Sequence, residues 1–423
     1  MQHTSNGARP LRIVHVTPAY APLVGGCERL LQAVSDRLVE RGHDVTVITF
    51  DCATMPDFHS PKGAGLPPDE RVNGVRVIRV NPVGGQLNRL HQWWMRQPGG
   101  WRSTTWIMGD ELWPLELPAG IGLMRPLARV PADVVTSVNW YFGAAFWVCR
   151  PRFLRRAPRV AIPVLHIERE WAHNPLLPRL FSECEGVIVM TDAERDFVAA
   201  RGGRQIEVGG CGVDPGRFTN RDGAEIRRRY DMGARTVVGF VGRQDTLKGV
   251  PTLIEAMHTV WRHAPDTMLL MAGQSAHRDM PVNDAIAALS PENRAKVVLL
   301  DNFADADLPS IMDACDMLAL PSVEESFGLV MIEAWACKKP VIGADIASTR
   351  CIIDSGVDGL TVRPFDAPDL AAKILELVTD PGKRASFGER GQQKVLARYT
   401  WDRVTDAWES AFRRAATNSR ASK

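Results

Sequence analysis

The sequence predicts an α/β protein made of two doubly wound domains with parallel sheets, and three observations lead to this prediction. Two segments, at about residues 11–40 and 237–263, each run from a short apolar strand through a glycine-containing loop into an amphipathic helix. Further apolar strands follow each unit, several of them separated by helical segments, which is the pattern of parallel sheets with crossover helices. The chain has 423 residues, too many for one ordinary domain and suitable for two.

Composition and charge narrow the class of protein. Apolar residues make up 45% of the chain, and 51 basic against 49 acidic residues give a net charge of +2, which argues against a dedicated nucleic-acid binder. The eight cysteines are scattered without a C-x-x-C pair, so neither a zinc site nor a disulfide framework is predicted and a reducing cytosol is favoured. A polar N-terminus and the lack of an apolar run of about 18 residues predict no signal peptide and no membrane span.

The first half of the chain accounts for one sheet. Apolar runs predict strands at 11–16, 45–50, 75–80, 133–138, 159–165, 186–190 and 206–208, and a helix at about 27–40. Ligands of such sheets bind beyond the carboxyl ends of the strands, where the Gly25-Gly26 loop and His166 are expected. For the Gly25-Gly26 loop, the alternative is a tight turn without a ligand. For His166, the alternative is a structural role. The glycines do not form a G-x-G-x-x-G dinucleotide fingerprint.

Two segments of this half depart from the sheet pattern. Residues 51–74 are rich in Pro, Gly and Asp and are predicted to be loop, whereas an insert at about 84–126 carries five tryptophans, at 93, 94, 101, 106 and 113. The tryptophans either pack as a local core, serve the acceptor side of a site or contact a membrane. Five arginines, at 150, 152, 155, 156 and 159, indicate either a solvated helix end or contact with anionic lipid.

The second half accounts for the other sheet, and the glycine-rich segment 209–215 is the predicted boundary. Strands are expected at 237–242, 268–272, 297–300, 317–320, 341–342 and 359–362, with helices at 250–263, 305–314, 329–338, 367–379, 381–398 and 401–415. We therefore expect domains at 1–209 and 210–398, followed by a terminal helix and tail at 399–423. This last helix is far along the chain from any strand, and we expect it to pack on the first domain.

Charged residues of the second half point to an anionic ligand. Arg243 and Lys248 lie in the loop after the first strand, where Arg can bind two phosphate oxygens at once and Lys adds a point charge. Exposed loop charges are the alternative.

The stretch 318–341 is the most informative. Glu325 precedes a helix that Ser326 is expected to cap, Gly328 lets the backbone approach a ligand, and Glu333 follows eight residues after Glu325. A helix start attracts anions, and eight helical residues span about 12 Å. A nucleotide-sugar fits this spacing, with its sugar at Glu325, its diphosphate over the helix start and its ribose at Glu333. A surface helix with a solvated glutamate is the alternative.

With these residues in view, the chain resembles the family-4 retaining glycosyltransferases of the GT-B fold. The motifs that carry the resemblance are GGCERL at 25–30, GCGVDPGRF at 210–218, VGRQDTLKG at 241–249, PSVEESFGLVMIEAWACKKPVI at 321–342 and GVDGLTV at 356–362. The pair Glu325 and Glu333 is the hallmark of that family. The resemblance implies two Rossmann-like domains facing a cleft, the first on the acceptor side and the second binding the nucleotide-sugar.

The resemblance also implies roles for individual residues. Arg243 and Lys248 would neutralise the donor diphosphate, Glu325 would contact hydroxyls of the donor sugar, Glu333 would bind the ribose, and His166 would face the cleft. The other implied positions are Gly242 and Phe303, the latter in the base-contacting loop, the backbone of Phe327, Gly328 and Leu329 on the donor, and the Gly25-Gly26 loop near the acceptor.

This chain departs from the family pattern at two places. No histidine lies in 136–139, where many relatives have one at a strand end, and Asp301 stands where the base loop usually has glycine. The first departure concerns the acceptor chemistry, and the second concerns the base preference.

The predicted function is the retaining transfer of a hexose from a nucleoside-diphosphate sugar to a hydroxyl acceptor, in the synthesis of surface polysaccharide or lipid-linked glycan. No Asp-x-Asp metal pair appears at a strand end, so we expect no metal. We also expect no cofactor and, given the balanced charge, no nucleic-acid partner. The alternatives are a natural-product glycosyltransferase, a nucleotide-sugar 2-epimerase of the same fold and a non-catalytic binding protein. The expected location is the cytoplasm, and peripheral contact with the inner face of the membrane is a further interpretation.

Overall fold

The computed structural model describes residues 9–23, 25–54, 57, 63–81, 116–140, 157–173, 177–219, 221–274, 280–301 and 303–421. The five tryptophans of the predicted insert and the arginines at 150, 152, 155 and 156 lie outside these described residues. By its internal contacts the chain divides into two compact units, here called unit 1 (Met1–Gly210 with Trp401–Lys423) and unit 2 (Cys211–Thr400).

Unit 1 contains an eight-stranded sheet in the order β3-β4-β2-β1-β5-β6-β7-β8, in which only β3 and β4 pair antiparallel. The strands are β1 (Arg12–Val16), β2 (Asp44–Phe50), β3 (Asp69–Val72), β4 (Val75–Val80), β5 (Val134–Val138), β6 (Arg159–Ile162), β7 (Gly186–Val189) and β8 (Ile206–Val208). The helices that accompany them are α1 (Gly26–Glu40), α2 (Glu116–Arg129), α3 (Leu177–Ser182) and α4 (Asp192–Ala199).

The edge of this sheet differs from the prediction. Residues 69–72, predicted as loop, form β3, and the turn that joins β3 to β4 is Asn73-Gly74. Both turn residues have positive φ, 49° and 85°, as a two-residue turn between antiparallel strands requires. The Asn-Gly pair was the sequence signal for this hairpin.

Unit 2 contains a six-stranded parallel sheet in the order β11-β10-β9-β12-β13-β14. The strands are β9 (Val237–Val241), β10 (Met268–Ala272), β11 (Val297–Leu300), β12 (Met317–Leu320), β13 (Val341–Ala344) and β14 (Gly359–Val362). The helices are α5 (Gly223–Arg229), α6 (Val250–His263), α7 (Met280–Ala287), α8 (Pro291–Arg294), α9 (Leu308–Ala314), α10 (Leu329–Ala336), α11 (Ala347–Ile352), α12 (Ala367–Thr379) and α13 (Pro381–Arg398).

Burial explains why the central strands of unit 2 could be predicted from the sequence. Every residue of β9, β10, β12 and β13 is buried, because helices cover both faces of a parallel sheet. Such strands read as continuous apolar runs rather than as alternating patterns. The predicted fold, with two Rossmann-like domains of parallel sheet, is confirmed.

The last helix of the chain, α14 (Trp401–Ala421), belongs to unit 1. Its apolar face buries Trp408 and Phe412, and its polar side is tied to the end of α1, where Arg41 Nη1 lies 3.1 Å from Glu409 Oε2. The prediction that the terminal helix returns to the first half is therefore confirmed. No helix within the described ranges is both long enough and apolar enough to cross a membrane.

Candidate active site

Two loops at the carboxyl edge of the unit 2 sheet are joined to each other. They are the loop 242–249 after β9 and the loop 321–328 after β12, and these two strands are neighbours in the sheet. The N–H of Val323 donates to the carbonyl of Leu247 at 3.0 Å, and the hydroxyl of Ser322 donates to the same carbonyl at 3.3 Å. Gly249 has a φ of +73°, and a Cβ there would lie 2.1 Å from the carbonyl oxygen of Pro321. Only glycine permits this contact, so the two loops hold a fixed spacing.

The joined loops bring Lys248 and Glu325 together. Lys248 Nζ lies 2.6 Å from Glu325 Oε1, and the two side chains are 17% and 11% exposed. A charge-assisted hydrogen bond of this length between side chains that are mostly shielded from solvent fixes both of them. The pair therefore offers a cation beside a carboxylate, which together suit a phosphate next to a hydroxylated ring.

Asp245 organises the same loop, although its role was not predicted. Its Oδ1 accepts the backbone N–H of Lys248, three residues further along the chain, at 2.8 Å, and this local hydrogen bond shapes the loop. Its Oδ2 lies 3.4 Å from Arg243 Nη2, whereas the Arg243 side chain is 66% exposed. Arg243 thus stands in solvent at the edge of the sheet, where it can reach an anion.

Helix α10 begins at Leu329 as predicted, but its N-cap differs from the prediction. The N-cap residue is Gly328, with a φ of +89°, and no side chain caps the helix, so Ser326 does not have the predicted role. Because the helix begins at Leu329, the first four residues of the segment from Glu325 to Glu333 are not helical, and the 12 Å span argued from eight residues of helical rise does not hold. The uncapped helix start still favours an anion nearby. Glu333 is buried within α10.

Phe327 faces the protein interior. Its ring is buried and packs edge-on against Tyr399, with 5.6 Å between the ring centroids. This leaves only its backbone for a ligand, and the donor contact by the backbone of Phe327, Gly328 and Leu329 stays a prediction.

A second close approach shapes the edge around β10 and β11. A Cβ on Gly273 would lie 1.9 Å from the carbonyl oxygen of Gly242, so the loops after β9 and β10 touch through glycines. The buried amide of Gln244, which sequence reasoning passed over inside the VGRQDTLKG motif, donates to the carbonyl of Gly273 at 2.9 Å and reaches Asp301 Oδ1 at 3.4 Å. Asp301 is exposed, and Phe303 follows it half-buried, after β11.

The glycine loop of unit 1 begins α1. Gly25 is the N-cap residue and Gly26 the first helical residue. A Cβ on Gly25 would lie 2.3 Å from Glu28 Oε2, so the glutamate of the GGCERL motif lies over the loop. Burial raises the pKa of Glu28 above its ordinary value.

The prediction that His166 ends a strand is wrong. Strand β6 stops at Ile162, because Pro163 has no N–H for the ladder and Val164 takes a φ of +53°. His166 is therefore in a loop beyond the strand, half-buried, at the carboxyl edge of unit 1. Within the described residues, no group of three or more His, Cys, Asp or Glu side chains is placed to hold a metal ion.

Comparison with known proteins supports a single family over nearly the whole chain. Residues 25–212 match the model of the glycosyl transferase 4-like domain, and residues 224–394 match that of the glycosyl transferases group 1. Proteins named D-inositol 3-phosphate glycosyltransferase from Actinosynnema mirum and Salinispora tropica are 29% and 28% identical to this chain. The alignments cover 95% of this chain in both cases, and 96% and 87% of the relatives.

Solved structures agree in fold. Sucrose-phosphate synthase from Thermosynechococcus elongatus matches with a TM-score of 0.75 at 19% identity, over 96% of this chain and 100% of that one. The Anabaena protein HepE, in complex with UDP and glucose, matches with a TM-score of 0.72 at 20% identity, over 95% of this chain and 98% of that one. With both family models matched between residues 25 and 394, the chain belongs to the family-4 type of glycosyltransferases with the GT-B fold, enzymes that transfer a sugar from a nucleotide-sugar to an acceptor.

Proposed function

We propose that this glycosyltransferase moves a hexose from a nucleoside-diphosphate sugar to a hydroxyl acceptor with retention of configuration and without a metal ion. The observation that carries the proposal is the pair of Lys248 and Glu325, 2.6 Å apart on two loops joined at the carboxyl edge of one sheet. On this one edge, the cation suits a diphosphate and the carboxylate suits the hydroxyls of a sugar ring. The uncapped helix start suits phosphate oxygens.

The donor would lie along this edge. Lys248 and Arg243 would bind the diphosphate, Glu325 would accept hydrogen bonds from hydroxyls of the sugar, and Glu333 would contact the ribose. The backbone at Phe327, Gly328 and Leu329 would approach the phosphates, with Gly242 and Phe303 nearer the nucleoside.

Charge stabilisation carries the chemistry in this proposal. The bond between the anomeric carbon and the phosphate oxygen breaks, and negative charge develops on the leaving diphosphate. Lys248, Arg243 and the start of α10 stabilise that charge. The acceptor oxygen bonds to the anomeric carbon on the face that the leaving group vacates, and its proton passes to the leaving phosphate. No protein nucleophile takes part, and His166 and the Gly25-Gly26 loop serve the acceptor side.

The first acceptor to test is an inositol phosphate, since relatives that align with 95% of this chain carry that substrate in their names. A lipid-linked or polysaccharide acceptor is the second, and it rests on the tryptophans and arginines outside the described residues. Flotation with anionic liposomes separates the two, because only the second predicts membrane binding.

The deciding experiment starts with a thermal-shift screen against nucleoside diphosphates and their sugars. The best donor is then incubated with each acceptor, with and without EDTA, while release of nucleoside diphosphate and the anomeric configuration of the product are measured. Retained configuration and EDTA-resistant release that depends on acceptor support the proposal. Epimerisation of the donor without acceptor would support a nucleotide-sugar epimerase, and tight nucleotide binding without any turnover would support a binding protein.

A further inference from the structure

Glu194 is a buried carboxylate in unit 1 whose hydrogen bonds go to two separate loops. The residue is 1% exposed. One of its oxygens accepts the backbone N–H of Leu165 at 2.8 Å, and the other accepts the backbone N–H of Met190 at 2.7 Å. Burial raises the pKa of Glu194 to about 7, against the smaller opposing effect of the two N–H groups. An apolar side chain would avoid the cost of burying a carboxyl group, so what Glu194 provides is the two fixed hydrogen bonds.

This arrangement goes beyond helix capping. Thr191 is the N-cap residue of α4 and accepts the N–H of Glu194, as in a capping box. In that motif the glutamate returns to the N–H of the cap residue itself. Here the carboxylate reaches past Thr191 to Met190, and across to Leu165, which is 29 positions away in the chain. Glu194 thus ties the loop after β6 to the loop after β7, both at the carboxyl edge of the sheet.

The loop after β6 is strained at the point where Glu194 holds it. Val164 has a φ of +53°, a conformation that is unfavourable for a β-branched residue and that persists only where surrounding contacts impose it. The carbonyl of Pro163 accepts the N–H of Trp140 at 3.0 Å before the strained residue, and Leu165 is bound to Glu194 after it. The next residue is His166, whose carbonyl accepts the N–H of Arg169 at 3.0 Å.

We propose that Glu194 is a positioning residue for sugar transfer, which holds the strained turn at Val164 so that His166 keeps one direction at the carboxyl edge of unit 1. This rests on the proposed function, in which His166 serves the acceptor side. Three observations bear on the direction of His166: Glu194 binds the backbone of Leu165, the residue before it; Val164 is strained; and the carbonyl of Pro163 is also held by a hydrogen bond.

The kinetic test uses Glu194→Gln, which has nearly the same size but turns an NH₂ group toward one of the two backbone N–H groups. We expect kcat to fall about tenfold, because small displacements of a site residue are costly, while UDP affinity stays within about twofold, because the proposed donor residues lie in unit 2. In a His166→Ala background, Glu194→Gln is expected to change kcat less than about twofold, since positioning then has nothing to act on. An equal loss in both backgrounds would overturn the proposal in favour of a structural role.

A second readout does not depend on activity. In protein labelled with ¹³C-histidine, the His166 signal is identified among the ten histidines by its loss in His166→Ala. Glu194→Gln is expected to shift or broaden that signal and to leave the signals of His15 and His43 unchanged. Thr191→Ala, which removes only the cap hydrogen bond, is the matched control and should leave the His166 signal and kcat unchanged.

The two failures are distinguishable. An unmoved His166 signal in Glu194→Gln overturns the positioning role whether or not transfer is observed. Absence of transfer with every donor and acceptor overturns the proposed function and leaves the histidine signal to decide the positioning role. Should the Gln variant not fold, Glu194→Asp shortens the reach of the carboxylate and is expected to give the same two effects.

Discussion

Replacing Lys248 by alanine is the most direct perturbation of the proposed donor site. The Lys248 ammonium is 2.6 Å from Glu325 and mostly shielded from solvent, so it acts as a fixed charge. At an effective dielectric constant of about 20, a unit charge about 4 Å away interacts with it by about 4 kcal/mol. If about half a charge develops on the leaving diphosphate in the transition state, the loss is about 2 kcal/mol, or about 30-fold in kcat.

The assay is steady-state release of nucleoside diphosphate, with donor affinity measured separately by calorimetry. Lys248→Ala is expected to lower kcat more than it weakens donor binding, because the charge it opposes is larger in the transition state. Lys373→Ala is the matched control, since Lys373 also pairs with a glutamate, Glu376, at 3.5 Å but lies on α12. This control should retain the rate of the unmodified enzyme.

A double variant tests the role of Glu325, the ion-pair partner of Lys248. In Lys248→Ala the Glu325 carboxylate, 11% exposed, keeps its charge without its cation and repels the anionic donor. Adding Glu325→Gln is expected to recover part of the donor affinity while kcat stays low.

The reasoning is refuted if Lys248→Ala retains both kcat and donor affinity within about threefold of the original enzyme, which is less than about 0.7 kcal/mol.

Three further predictions follow from single residues. Glu333→Ala is expected to weaken binding of the donor about tenfold by calorimetry, through loss of a ribose contact to a buried carboxylate, and unchanged affinity would remove Glu333 from the site. Asp301→Gly is expected to change the ratio of affinities for UDP and GDP, because an exposed carboxylate accepts hydrogen bonds only; an unaltered ratio would separate Asp301 from the base. Burial raises the pKa of Glu194 from 4.5 to about 7, so the folded state binds that proton more tightly than the unfolded state does. The resulting stability is complete below the unfolded pKa and is lost as pH rises through the folded one. Relative to Glu194→Gln, which cannot titrate, the free energy of unfolding should fall by about 3 kcal/mol between about pH 4.5 and 7.5, and parallel urea-midpoint curves would contradict this.

The elements that the sequence predicted best are those whose signals are local. The bounds expected for the helices at 367–379 and 381–398 agree with α12 and α13, because Asp366 and Asp380 cap them with side chains that accept N–H groups three residues ahead. The edge strand β3 was missed, since an exposed hairpin strand has no continuous apolar run. The predicted first residue of α10 agrees with the structure, but the predicted cap, Ser326, is wrong because Gly328 takes the cap position in a left-handed conformation that residue order alone does not specify.

The sequence by itself determined the two parallel sheets, the family and the residue types available for an anionic donor, because buried strands and loop motifs are contiguous in the chain. The tertiary structure decided which of those residues meet. Lys248 and Glu325 are 77 positions apart and touch because β9 and β12 are neighbours in the sheet, and Leu165 and Glu194 meet because β6 and β7 are. Strand order is set by the packing of the whole sheet and its helices, so contacts of this kind are not written in any local stretch of sequence.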